Sequence, residues 1–114
     1  MVFNRIILNK TQQKELILKL RNTENICFIS RDDSTGKNPY SFFLELGIDY
    51  SDAVNIVKNL SLTEYQYTQL DSKNKYTYMY VFNKIINGRT AYIKIGFKSD
   101  KTIVISFHEK MFNE

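Results

Sequence analysis

The dipeptide Asn87-Gly88 constrains this chain more than any other feature, because it separates two runs, 76–86 and 89–97, in which apolar or aromatic residues alternate with others. A two-residue connection of this composition closes a β-hairpin through a type I′ turn, whose central residues both need positive φ. The turn sets the register. With Ile86 opposite Arg89, Asn83 falls opposite Tyr92, Val81 opposite Lys94 and Met79 opposite Gly96. Tyr78, Tyr80 and Phe82 then share a face with Ile93, Ile95 and Phe97, and that face is the core side.

A turn around Ser99-Asp100-Lys101 leads into a further strand over 102–108. Putting Ile103, Ile105 and Phe107 on the same core face pairs Phe97 with Ile103, Lys94 with Ser106 and Tyr92 with His108. A one-residue slip would bury Ser106 and His108 instead. The expected outcome is an open face carrying Tyr92, Lys94, Ser106 and His108, with Lys84 and Arg89 within reach at the neighbouring turn.

Upstream the pattern turns helical. Thr11 is placed to cap a helix over 11–21, in which Leu16, Ile17, Leu18 and Leu20 give a wide apolar face. An apolar strand over 25–30 and a loop over 31–38 follow. Asn38 and Pro39 open a second helix that Gly47 ends in the left-handed conformation, and a third spans 51–60. Tyr65, Tyr67 and Gln69 alternate with Gln66, Thr68 and Leu70, which predicts a strand, although Ser61 with Glu64 equally makes a capping box for one more helical turn. The sum is one α+β domain over 1–114, with N-terminal helices packed on one face of a C-terminal antiparallel sheet.

The net charge of +4 is unevenly placed. Residues 1–39 hold seven basic and four acidic side chains, 40–71 one and five, and 72–114 eight and three. The basic segment is also the aromatic sheet, a pairing that suits a polyanion such as nucleic acid and is also common on plain solvated surfaces. The lone Cys27 has no disulfide partner, and Arg5 and Lys10 flank Ile6, Ile7 and Leu8, so no signal-peptide core is formed. A reducing, cytoplasmic compartment is expected, with no membrane role. One His and one Cys cannot build a metal site, and no cofactor is implied. Ser34-Thr35-Gly36-Lys37 lacks the first Gly of a phosphate loop and reads as ordinary loop. A Cys27–His108 nucleophilic pair is outweighed by Cys27 lying in an apolar strand, as inert core.

A phenol, an ammonium, a hydroxyl and the chain's single imidazole on one face are the groups that metal-free RNA cleavage needs. A base takes the ribose 2′-hydroxyl proton, a cation stabilises the phosphorane, and an acid protonates the departing 5′-oxygen. The plain alternative is that His108 ends an edge strand and Tyr92 is a packing residue.

Leu44-Glu45-Leu46-Gly47-Ile48-Asp49, Asn59-Leu60-Ser61, Ala91-Tyr92-Ile93-Lys94-Ile95 and Ile103-Val104-Ile105-Ser106-Phe107-His108-Glu109 together resemble MqsR-type toxins of bacterial toxin–antitoxin systems. The resemblance covers about 44–110. It implies a RelE-like ribonuclease toxin fold, mRNA cleavage, either translation-independent or linked to the ribosome as a further partner, that inhibits translation and growth, and neutralisation by a cognate antitoxin. It puts the family's catalytic Tyr on Tyr92 and the basic residue of its last strand on His108. The family's strand-borne Lys falls on Tyr67, with Gln69 two residues on, and its Gln on Met79. Both are departures, and Lys94 is positioned to take over the lost charge. The expected reaction groups are His108, Tyr92, Lys94 and Tyr67. Gln69, Lys75, Lys84, Arg89 and Ser106 are expected to hold single-stranded mRNA. Two other readings stand beside this one: a catalytically inactive relative that binds an antitoxin or nucleic acid, and a protein-interaction factor of mobile-element origin.

Overall fold

The computed structural model of the chain describes residues 5–30, 36–71 and 76–114. Its elements are β1 (Arg5–Ile6), α1 (Lys10–Asn22), β2 (Asn25–Phe28), α2 (Pro39–Leu46), α3 (Tyr50–Lys58), β3 (Tyr65–Leu70), β4 (Tyr78–Ile86), β5 (Arg89–Lys98) and β6 (Lys101–Glu109). The strands make one six-stranded sheet in the order β1-β3-β4-β5-β6-β2. All neighbours are antiparallel except β2, which runs parallel to β6. The architecture is α+β, but the sheet is not purely C-terminal. Two early strands close its edges.

The helices start and stop where capping chemistry directs. Asn9, two residues before the expected Thr11, caps α1, accepting from the Gln12 amide while the Gln12 side chain accepts from the Asn9 amide. Asn38 caps α2 ahead of Pro39, and Gly47 ends it at φ 74°. Asp49 and Asp52 form the reciprocal cap of α3. On α1, Leu16 and Leu20 are buried while Leu18 is exposed, so the apolar face is narrower than its four aliphatics suggested. Ser61 and Glu64 do bond, the Ser61 amide to the Glu64 carboxylate, but in a turn that delivers the chain into β3.

The β4–β5 hairpin has the expected register, with Ile86 opposite Arg89, Asn83 opposite Tyr92 and Val81 opposite Lys94. Asn87 (φ 50°) and Gly88 (φ 82°) supply its turn. Between β5 and β6 the first half of the ladder is also as expected: Tyr92 faces His108 and Lys94 faces Ser106. The second half is not. Ile95 faces Val104, so Ile105 is an extra residue in a β-bulge, and Phe97 meets Thr102 rather than Ile103. The slip lets two residues, Ser99 at φ 56° and Asp100, turn the chain between Lys98 and Lys101 instead of three. Val104 and Thr102 consequently take the core side, while Ile103 is half-buried on the other.

One hydrophobic cluster joins Leu16 and Leu20 of α1, Phe42, Phe43 and Leu46 of α2, and Ala53 and Val57 of α3 to Phe82, Ile93, Ile95, Val104 and Phe107 of the sheet. Phe107 lies among Phe28, Phe42 and Phe43, with ring centroids 5.8, 6.0 and 5.2 Å away. This packing turns one parity of each central strand toward the cluster. The opposite parity forms the other side of the sheet. No helix among the described residues is long and apolar enough to cross a membrane.

Candidate functional site

Two rows of residues cross that other side. Tyr67, Val81, Lys94 and Ser106 face one another in turn across β3, β4, β5 and β6, and the next row along is Asn83, Tyr92 and His108. Gln69 pairs with Met79 on the same parity and with Arg5 of β1. The register therefore gathers Tyr67, Gln69, Tyr92, Lys94, Ser106 and His108 on one face. That face is not open at its centre: Tyr92 is 5% and His108 only 1% exposed, and Ser106 is buried.

The imidazole of His108 lies nearly parallel to the Tyr92 ring, with centroids 5.3 Å apart and an interplanar angle of 26°. Its Nδ1 is 2.8 Å from the carbonyl oxygen of Glu109. A carbonyl only accepts, so Nδ1 carries hydrogen and the neutral ring has its lone pair on Nε2. That nitrogen is 3.5 Å from Oε2 of Glu114. Glu114 is seated by a tight turn: its amide donates to the Met111 carbonyl at 3.1 Å, and the Met111 amide donates to Glu114 Oε1 at 2.9 Å.

Tyr92 is held as a phenol. Burial pushes its ionisation well above the ordinary tyrosine value, and a hydrogen bond with Tyr67 and the charge of Glu114 add to the shift, against the pull of Arg5. Lys94 Nζ is 5.8 Å from the Tyr92 ring centroid, and the Arg5 guanidinium carbon is 4.1 Å from that of Tyr67. The Asn83 Oδ1, opposite Tyr92, is buried with no hydrogen-bond partner among the described residues.

The site thus combines a proton-accepting imidazole nitrogen, a phenol kept protonated, and cations from β5 and β1. Such a set can move a proton at a hydroxyl and stabilise charge on a phosphate. Among the described residues no group of three or more His, Cys, Asp or Glu side chains is arranged to hold a metal ion.

Two expected phosphate contacts are not part of this assembly. Lys84 and Arg89 lie on the cluster side of the sheet, because they oppose Ala91 and Ile86. Lys84 Nζ is 2.8 Å from Glu64 Oε2. Burial works against the charge of Glu64, but the bonds from Lys84 and from Ser61 hold its carboxyl below the usual range. Arg89 Nη2 bridges Glu109 Oε1 at 2.6 Å and Glu45 Oε1 at 2.9 Å. Both cations are matched to carboxylates, and the parity of the hairpin is the physical reason. Lys75, like Ser34 and Thr35, lies outside the described residues. Cys27, expected as inert core, is exposed on the edge strand β2.

Arg5, Glu114 and Asn83 escaped the sequence reading as site residues. Arg5 reaches the face only through a two-residue strand pairing with β3, and Glu114 only through the turn that folds it back over β6. Neither leaves a local pattern. Asn83 was visible through the hairpin register, which set it opposite Tyr92, but nothing in the sequence marked its amide as buried.

The protein-family model described as motility quorum-sensing regulator, toxin of MqsA, matches residues 17–109. No curated protein matches the chain.

Proposed function

Because the chain belongs to the MqsR toxin family, we propose that it is the toxin of a toxin–antitoxin pair and a metal-independent endoribonuclease that cuts single-stranded mRNA, acting in the cytoplasm as a single toxin domain with a RelE-like ribonuclease fold. Cutting mRNA inhibits translation and growth, and a cognate antitoxin protein restrains it. The observation that most supports this reading is the stacked Tyr92–His108 pair, in which the Glu109 carbonyl engages Nδ1 and leaves Nε2 to accept a proton.

In this mechanism Nε2 of His108 takes the proton of the ribose 2′-hydroxyl, and the 2′-oxygen attacks phosphorus to give a pentacoordinate phosphorane. The Lys94 ammonium stabilises its charge. The bond to the 5′-oxygen then breaks, and Tyr92 gives that oxygen its proton. An alkoxide is a much stronger base than a phenolate, so even a phenol with a raised pKa donates to it favourably. Water returns a proton to Tyr92 and removes one from His108. Tyr67, hydrogen-bonded to Tyr92, orients the phenol and offers its ring to a base; Gln69 and Ser106 supply polar contacts to the strand. The scissile phosphate must take the place Glu114 now occupies beside Nε2.

Purified protein incubated with RNA in excess chelator is expected to yield fragments ending in 2′,3′-cyclic phosphate. A His108→Ala protein that still cleaves would overturn the role of the imidazole. The burial of His108 under Glu114 favours a second reading, a catalytically inactive relative that binds antitoxin or nucleic acid. Induced expression separates the two. Growth arrest that disappears in the Tyr92→Phe/His108→Ala double variant supports the enzyme, whereas arrest that persists supports a binding role.

A further inference from the structure

We propose that Arg5, whose guanidinium lies over the ring of Tyr67, forms a subsite for an RNA phosphate that flanks the one that is cut. This subsite rests on the reading of the face as an RNA site and adds to it a residue from the far edge of the sheet.

The guanidinium carbon lies over the Tyr67 ring, 4.1 Å from its centroid, and a cation held by an aromatic face keeps its N–H donors for other acceptors. Arg5 is exposed, and among the described residues it makes no ion pair, unlike Arg89 and Lys84, whose donors are engaged by Glu45, Glu109 and Glu64. A planar fork whose donors meet no carboxylate among the described residues matches two phosphate oxygens at once.

Position in the sheet determines which phosphate this is. Three strand spacings separate β1 from β5, roughly 14 Å at about 4.8 Å per strand, so Arg5 does not stand over the Tyr92–His108 pair. Tyr67 fills the interval. It shares its hydroxyl contact with Tyr92 and its ring with Arg5, making a continuous path of phenol, ring and guanidinium away from the reacting centre. An RNA strand laid along that path presents its reacting phosphate to His108 and a flanking phosphate to Arg5, with Tyr67 offering its remaining surface to the base between them. The ligand class is a single-stranded ribonucleotide of at least two phosphates.

The test compares a dinucleotide substrate with one phosphate and a tetranucleotide with three, using wild type, Arg5→Gln and Arg5→Lys. Wild type should gain in kcat/KM on going to the longer substrate, and Arg5→Gln should lose about tenfold of that gain, the weight of one charge-assisted contact. Arg5→Lys, which keeps the charge, should retain part of it. In parallel, binding of a 2′-O-methyl oligonucleotide is followed against salt. Arg5→Gln should flatten the log–log slope by about 0.7, the value for one phosphate contact on a single strand. A length dependence equal to wild type, a proportional loss on both substrates, or an unchanged salt slope overturns the subsite. If wild type cleaves neither substrate, the nuclease reading falls, and the salt slope alone decides for or against Arg5, with absence of binding counting against it.

Discussion

Tyr92 shows how one buried hydroxyl links the stability of this molecule to its chemistry. Its ionisation is raised chiefly by loss of hydration, with the hydrogen bond to Tyr67 acting in the same direction. Below the ordinary tyrosine value of 10.0 the phenol is protonated in folded and unfolded chains alike, so its contribution to stability is fully present. As the pH rises past that value the unfolded chain ionises first, and stability drains away toward the folded value. Tyr80 and Tyr50, also raised by burial, act in the same sense. The urea midpoint of the wild type is therefore expected to fall steeply above about pH 10, and Tyr92→Phe to fall less steeply; equal slopes would remove Tyr92 as a source of the effect. At neutral pH the same variant should lower RNA cleavage by about 10²-fold to 10⁴-fold, the usual weight of a positioned proton donor.

At the scale of elements, the face depends on strands that carry little side-chain volume where they must be approached closely. Gly96 in β5 lies under Tyr76, and a Cβ there would come within 2.9 Å of Tyr76 Cγ and 3.0 Å of its Cβ. Gly96→Ala is expected to cost about 1–3 kcal/mol by overpacking. The double variant with Tyr76→Ala should recover part of that loss, which a chemical-denaturation cycle would measure; additive losses would mean that the Tyr76 ring is not what the new methyl meets. The legibility of the fold follows the same local logic. The Asn87-Gly88 turn and strict alternation made the β4–β5 pairing and the Tyr92–His108 pairing readable, because a two-residue turn admits one register. The slip at Ile105 was not readable. Ile103, Ile105 and Phe107 keep perfect alternation in sequence, whereas the bulge trades Ile103 and Ile105 for Thr102 and Val104 on the core side so that Ser99-Asp100 can close a tighter turn. Lys84 and Arg89 were misassigned for a simpler reason: proximity to the turn was weighed above side parity, and parity sends both to carboxylates on the helix side. β2 was legible as an apolar strand over 25–30, but its parallel place beside β6 was not, and the two-residue β1 has no local signature, since both pairings exist only through partners distant in sequence.

Across the whole molecule, the face is assembled from residues as far apart in sequence as Arg5 and Glu114, and these two bring opposite charges to it. Arg5 adds to the attraction for a polyanion. Glu114 opposes it and occupies the ground beside His108 Nε2 at 3.5 Å, held by its paired hydrogen bonds with Met111. A carboxylate has the charge and the acceptor oxygens of a phosphodiester, so on the proposed reading RNA displaces it, and the free energy of its contacts is subtracted from that of substrate binding. Glu114→Ala removes the carboxylate together with its contacts to His108 Nε2 and to the Met111 amide. On that argument it should lower KM for RNA by about threefold to tenfold, the range of one partly screened charge interaction, and should speed the acylation of His108 by diethyl pyrocarbonate in the absence of RNA. A drop in kcat with KM unchanged would reverse the assignment, making Glu114 a residue that orients the imidazole rather than one that competes with the substrate.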